Sequence, residues 1–264
     1  KYEITNHVFL EKSLHKLKTY LNWATIKSVF KLPSVHVFKN MHRQNEQRFQ
    51  NPKTVQFFNR YATYNGSNPY EAPATLNVIP HYEFGFGAFF PKEGIRSIAD
   101  ALYQKAVNLG VVFKFNTTVA SVGRIGDEWV VNGNLASDMV VCNMDVASAA
   151  RGPLEGFISS KRKKYEPSSS ALIFYWGINR EFPELDLHNI FFSKDYKKEF
   201  TSIFTEKKID EDPTVYIHIS SKCKADDAPK GGENWFVMVN APYAENQDWD
   251  KMIDTNIKGL LSMT

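Results

Sequence analysis

Apolar residues recur along this chain with two different periods, and each period predicts a different kind of element. Leu10, Leu14, Leu17 and Leu21 fall at helical spacing, and Trp23, Ile26, Val29 and Phe30 prolong the apolar face until Pro33. Proline has no N–H to give and clashes with the preceding turn, so the helix is expected to stop there. A second helix is expected over Val35 to Phe49. A third should start near Pro52, with Val55, Phe57, Phe58 and Tyr61 on its buried side. Asn65 to Pro69 (NGSNP) has the chemistry of a loop. Ile95, Ile98, Leu102, Ala106 and Leu109 then mark an amphipathic helix that Gly110 is suited to close.

Beyond Gly110 the period shortens. Val111 to Phe115, Val119 to Val122, Glu128 to Val131 and Met139 to Cys142 read as short strands, and helix, loop and strand in succession predict an α/β layer. From Ser168 onward, Leu172 to Trp176, Val215 to Ile219 and Trp235 to Val239 are rich in β-branched and aromatic residues, so an antiparallel sheet is expected. One helix near Lys194 to Phe204 interrupts it. No internal repeat is visible. The predicted fold class is therefore an α/β and α+β composite.

Composition trims the functional possibilities. A formal net charge of +3 over 264 residues, with acidic residues scattered throughout, excludes the concentrated basic face of a nucleic-acid binder. Cys142 and Cys223 are far apart and form no CxxC pair, which argues against a disulfide scaffold or zinc site and suits a reducing cytoplasm. Asn65-Gly66-Ser67 and Asn116-Thr117-Thr118 fit the glycosylation pattern, but no signal peptide accompanies them. No apolar run approaches the length of a membrane-spanning helix, so a soluble or membrane-surface protein is expected. The start at Lys1 and the end at Thr264, inside a helical pattern, give the expectation of an internal piece of a longer chain.

Familiar catalytic motifs are missing: there is no GxSxG, GxxxxGK[ST] or HExxH. His81-x-Glu83 has no PCxxC to complete a zinc deaminase, and no metal site is expected. Gly85-x-Gly87 is followed by Phe90 where a dinucleotide loop needs its third glycine. The informative stretch is Arg60 to Gly94, which crowds aromatics, Gly and Pro around a few isolated polar groups. Periodicity alone reads it as a connection between layers with buried rings.

Asn51-Pro52-Lys53 with Phe58-x-Arg60-Tyr61-Ala62-Thr63-Tyr64-x-Gly66-x-x-Pro69 resembles the segment preceding the substrate site of FAD-dependent carotenoid desaturases of the phytoene desaturase family. His81-x-Glu83 and Gly87-Ala88-Phe89-Phe90-Pro91-x-x-Gly94 are similar to that family's G-x-W/F-F/Y-P-x-G-G loop, although Glu93 and Ile95 stand where Gly and Met are usual. Asp138 to Val146 (DMVVCNMDV) resembles its strand-end motif, and further matches run in order to Pro242. The resemblance implies part of a flavin amine-oxidase-like two-domain fold, a Rossmann-type FAD-binding piece beside an antiparallel substrate sheet and a helical subdomain. Residues 1–80 would be the helical substrate- or membrane-facing part, 81–151 part of the FAD-binding domain, and 152–264 the sheet domain. The implied activity is hydride removal from a linear carotenoid, phytoene or a hydroxycarotenoid, onto FAD, with quinone or oxygen as electron acceptor. The family's GxGxxG strand and helix and its C-terminal flavin segment find no counterpart here, so the piece by itself is expected to bind FAD weakly and to be inactive.

Site roles follow from the same resemblance, each beside a plainer reading. The chain around Val119 would pass the adenine end of FAD, or Val119 is an ordinary buried strand residue. Gly94 belongs to the flavin-facing loop. Asn143 and Asp145 either contact the cofactor at a strand end or cap the next helix. Glu83 either handles the proton lost from the substrate, its pKa raised in a desolvated loop, or pairs with Arg60 or Arg96. Arg60 and His81 are candidates to sit near flavin or a reoxidant. Lys161 to Lys164 (KRKK) is a solvated loop or a headgroup contact, and Phe9 to Phe38 an apolar membrane face or ordinary core. A carotenoid isomerase, a flavin amine oxidase and a non-enzymatic lipid-binding module stay open as alternatives.

Overall fold

The computed structural model describes residues 38–158 and 167–254, with Tyr2, Ser13, Lys16, Leu21 and Trp23 from the first stretch. The helices expected between Leu10 and Pro33, the start of the one expected from Val35, and the basic run Lys161 to Lys164 lie outside the described residues. The chain forms two compact units, Lys1–Ser97 with Pro167–Thr264, and Ile98–Glu166.

In the first unit, α1 (Met41–Arg48) begins where the Asn40 side chain accepts from the Arg43 N–H at 2.9 Å. Asn51 caps α2 (Pro52–Asn59) in the same way through the Lys53 N–H, and Pro52 occupies the first-turn position that needs no donor. A 3-10 turn (Arg60–Asn65) continues α2 until Gly66, whose φ of 58° ends it. Val55 and Tyr61 are buried as the periodicity predicts. The α1–α2 contact is unusual in being polar. Asn45 donates to Asn59 at 2.9 Å, Asn59 meets His42 Nδ1 at 2.9 Å, and Asn77 donates to Asn45 at 2.8 Å. Gln44, Asn45 and Asn59 are all buried in this amide network, where paired amides escape the cost of burying lone polar groups.

Helix α3 (Arg96–Asn108) ends as expected. Gly110 sits at φ 86°, its N–H reaches Val107 O, and the Val111 N–H reaches Ala106 O, the paired bonds of a glycine-stopped helix. The second unit then forms an antiparallel meander of β1 (Val122–Ile125), β2 (Glu128–Val131) and β3 (Leu135–Ser137), followed by α4 (Val146–Arg151). Three strand expectations need correcting. Val111 to Phe115 and Met139 to Cys142 form no strand pairing among the described residues, because an apolar run becomes a strand only where another strand completes its ladder. Val119 to Val122 pairs only from Val122 onward, since the Asn132 side-chain oxygen takes the Ala120 and Ser121 N–H groups at 2.9 and 3.3 Å.

The rest of the first unit is the expected antiparallel sheet. β4 (Ser170–Ile178), β5 (His188–Phe191), β6 (Val215–His218) and β7 (Glu233–Ala241) pair in the order β4-β7-β6-β5, and α5 (Tyr196–Thr201) precedes β6. Alternation decides the two faces. Val215, Ile217, Trp235, Val237 and Val239 are buried, with Leu172, Phe174 and Trp176 packed against them. Tyr175, Phe236, Tyr216 and His188 line the other face. The architecture is thus mixed, helices with antiparallel sheets. Among the described residues no helix is long and apolar enough to cross a membrane, and no cluster of His, Cys, Asp or Glu is placed for a metal ion.

Candidate functional site

Glu83 lies in a single wide helical turn (Tyr82–Phe86) that ends at Gly87, whose φ of 90° is open to glycine and whose N–H returns to Glu83 O. Its carboxylate accepts from the Tyr64 hydroxyl at 3.0 Å. Burial, reinforced by that carboxylate, pushes the Tyr64 phenol up to about 12, and raises Tyr61 further for the same reasons. Both phenols therefore stay protonated donors facing Glu83. Phe84, Phe86 and Phe89 project into solvent around this pair, Phe89 with 89% of its surface exposed.

Arg60 joins the same cluster without pairing to Glu83. Its guanidinium carbon lies 5.6 Å from the centre of the Tyr216 ring, a cation–π distance, and Nη1 is 3.5 Å from Thr63 Oγ1. Tyr216 on β6 in turn places its hydroxyl 2.8 Å from His188 Nδ1 on β5. The His188 and His218 rings are 5.1 Å apart, and Phe90 stands 6.4 Å from His218. Burial, then the neighbouring His188, lowers the His218 pKa, against the opposing pull of Asp227, so the His218 ring is neutral at pH 7.

Gly94 completes the loop that carries Phe90. At φ 79° its N–H closes a turn onto Pro91 O at 2.9 Å, and its carbonyl accepts from the Ser97 N–H and hydroxyl at the start of α3. His81 is exposed, its ring 4.6 Å from that of Tyr2 and 5.6 Å from Phe86.

The remaining predicted residues lie in the second unit. Asp145 caps α4, its carboxylate accepting the Ser148 N–H at 2.8 Å, and that bond holds its pKa below the ordinary value. Asn143 is exposed in the preceding loop. Val119 is 45% exposed, in a loop clasped by Asn132, which also donates to Thr118 O at 2.9 Å. Among the described residues the main-chain N–H and C=O of Val119 have no partner. Val119 thus presents an exposed donor and acceptor side by side.

Sequence reasoning passed over Tyr64, Tyr216, His188 and His218. Tyr64 was visible within RYATYNG but carries no signal of its own. Tyr216 and His218 could have been found by alternation, since they interrupt VYIHI on the face opposite Val215, Ile217 and Ile219.

A second polar centre is buried beneath the same face. Glu199 on α5 is fully buried, accepts from Ser193 Oγ at 2.9 Å and Thr214 Oγ1 at 2.6 Å, and lies 3.5 Å from Asn240 Nδ2. Burial raises its pKa despite these donors. A carboxyl whose folded pKa is raised stabilises the fold below its ordinary value of 4.5 and loses that contribution as pH climbs through the folded value. Burial also works against Asp210 and Glu233, yet hydrogen bonds from Ser202 and from Lys222 hold both below their ordinary values, so they titrate at lower pH. Because His42 and His218, lowered by burial, act alike in both proteins, Glu199→Gln should gain stability relative to the wild type in urea unfolding as pH rises above about 4.5, by up to about 1.4 kcal/mol per pH unit. Equal slopes in the two proteins would refute a raised Glu199.

The sequence profile of flavin containing amine oxidoreductases matches residues 10–188. The chain belongs to that family. Among curated relatives of this flavin containing amine oxidoreductase, 1-hydroxycarotenoid 3,4-desaturase from Flavobacterium sp. (strain P99-3) is 45% identical over 99% of this chain and 54% of its own length. The 4,4'-diapolycopene oxygenase of Methylomonas sp is 32% identical over 84% of this chain and 46% of its own length. The zeta-carotene-forming phytoene desaturase of Myxococcus xanthus is 30% identical over 88% and 46% respectively. The chain spans about half the length of the curated relatives it matches. The family's cofactor is a flavin.

Proposed function

We propose that this chain is the substrate-facing part of an FAD-dependent desaturase of linear carotenoids. The observation that carries the reading is the Glu83 carboxylate held by the Tyr64 hydroxyl at 3.0 Å among exposed phenylalanines. That arrangement offers a proton acceptor in otherwise apolar company, as suits a substrate with no polar group at its reacting carbons. The names of the relatives, which act on carotenoids, support the substrate class.

When bound, the flavin supplies the acceptor for a hydride from an allylic carbon. Glu83 takes the proton released from the neighbouring carbon, so that the two hydrogens leave as hydride and proton and a conjugated double bond forms. Tyr64 and Tyr61, held protonated, orient the carboxylate, and Arg60, over the Tyr216 ring, keeps positive charge in the cluster. The rings of Phe84, Phe86, Phe89 and Phe90 guide the chain and exclude water. For the cofactor, the second unit would offer the exposed peptide groups of Val119, with Asn143 and the α4-capping Asp145 as further contacts, and the first unit would offer Gly94.

Carotenoids reside in bilayers, so the protein works at a membrane surface on the cytoplasmic side, with the apolar sequence Phe9 to Phe38 as its contact. Trp23 and Phe38 are exposed in keeping with this. Quinone or oxygen then removes the electrons. The test is to load the full-length protein with FAD and supply linear carotenoids in liposomes. Each new conjugated bond moves absorption to longer wavelength. Unchanged spectra with every polyene, together with peroxide release from amines, would replace this reading with amine oxidation. A change of isomer without oxidation would replace it with isomerisation.

A further inference from the structure

The outer face of the β4-β7-β6-β5 sheet changes character from one edge to the other. Strand register sets Tyr175, Phe236, His218 and His188 side by side in one row, crossing from β4 to β5. Strands lie about 4.8 Å apart, so the row spans about 14 Å. It begins with Tyr175, 79% exposed, continues over the half-buried Phe236, and ends on two imidazoles. In the next row Tyr216 leans back to the same end, its hydroxyl 2.8 Å from His188 Nδ1. A linear apolar molecule lying along the row would rest on the Tyr175 and Phe236 rings and reach the imidazoles of His218 and then His188, where the row ends.

We propose that His188, positioned by Tyr216, determines specificity by hydrogen-bonding a hydroxyl group at the end of an otherwise apolar linear substrate. This rests on the desaturase reading and names the end group of its substrate. Tyr216 occupies Nδ1, so Nε2 is the atom of the exposed His188 ring left for a ligand. Nε2 is an acceptor if Tyr216 accepts from Nδ1–H, and a donor if Tyr216 donates to Nδ1. A hydroxyl donates and accepts, so it satisfies either tautomer. A hydrocarbon end would cover Nε2 without pairing it, and a site built to bond a hydroxyl discriminates strongly against the analogue lacking one. Of the cations near this corner, Arg60 lies over the Tyr216 ring. Lys224, near this corner beside Gly94, already pairs with Asp226 at 2.7 Å and Asp227 at 3.0 Å.

The test compares kcat/KM for two linear carotenoids of equal conjugation, one with a terminal hydroxyl and one without, using the full-length FAD-loaded protein and liposomes. The wild type should prefer the hydroxylated substrate at least tenfold. His188→Leu and Tyr216→Phe should each reduce that preference about tenfold, and His188→Gln, which keeps a donor and an acceptor, should restore most of it. Flavin absorbance and melting temperature identify any variant that fails to fold, and His188→Gln then carries the comparison. A preference unchanged within twofold, or both substrates slowed alike in the variants, overturns the assignment while leaving the desaturase reading intact. Oxidation of neither substrate by the wild type overturns both.

Discussion

Val237→Asp is expected to abolish the cooperative folded state of the first unit. Val237 is 1% exposed at the centre of the buried sheet face and lies on β7, the strand that pairs with both β4 and β6. Phe174 and Ile217 flank it in register. An aspartate there would put a carboxylate among Val, Ile and Trp side chains with no cation or donor to meet it. The cost, whether the group stays charged or takes up a proton, is several kcal/mol. Because domains are stable by only about 5–15 kcal/mol in total, most of the margin disappears. Near-UV circular dichroism and urea unfolding should show loss of fixed aromatic packing and of a sharp transition. Tyr175→Asp on the opposite face is the control and should change stability by only about 0.5 kcal/mol, since its ring is largely in solvent. Similar behaviour of the two variants would mean that the faces are assigned wrongly.

Glu83→Gln should lower kcat of the full-length, FAD-loaded protein about 100-fold with little change in KM, the loss usual when a positioned proton acceptor is removed. The amide is nearly isosteric and can still accept from Tyr64, so the turn ending at Gly87 should survive. Tyr64→Phe removes the donor while leaving the carboxylate, and a smaller loss of about tenfold is expected from poorer orientation. If Glu83→Gln retains a third or more of the wild-type rate with an unaltered flavin spectrum, Glu83 is a structural partner of the two tyrosines. The proton would then leave by another route.

The two variants probe features of different legibility. The alternation that buries Val237 could be counted directly in WFVMV, since a strand's faces follow from a period of two. Arg60 and Glu83 were singled out by their surroundings, but their relation was not readable. Of the two arginines offered as partners for Glu83, Arg60 is turned over Tyr216, and the carboxylate accepts from Tyr64. Asp145 illustrates the same limit. Asn and Asp before a helix fit a cap as well as a ligand contact, and the Ser148 N–H at 2.8 Å establishes the cap.

What the sequence determined alone is what near neighbours settle: α2 from Asn51-Pro52, the stop of α3 at Gly110, and the faces of β4, β6 and β7. Each depends on residues within about four positions, whose geometry the backbone dictates. Only the tertiary structure decided which apolar runs became strands, why the polar face of α1 is buried, and how His188 meets Tyr216 across 28 positions. Those outcomes turn on register between remote segments. A shift of one residue would turn Tyr216 and His218 to the opposite face, and the sequence local to either residue does not encode that register.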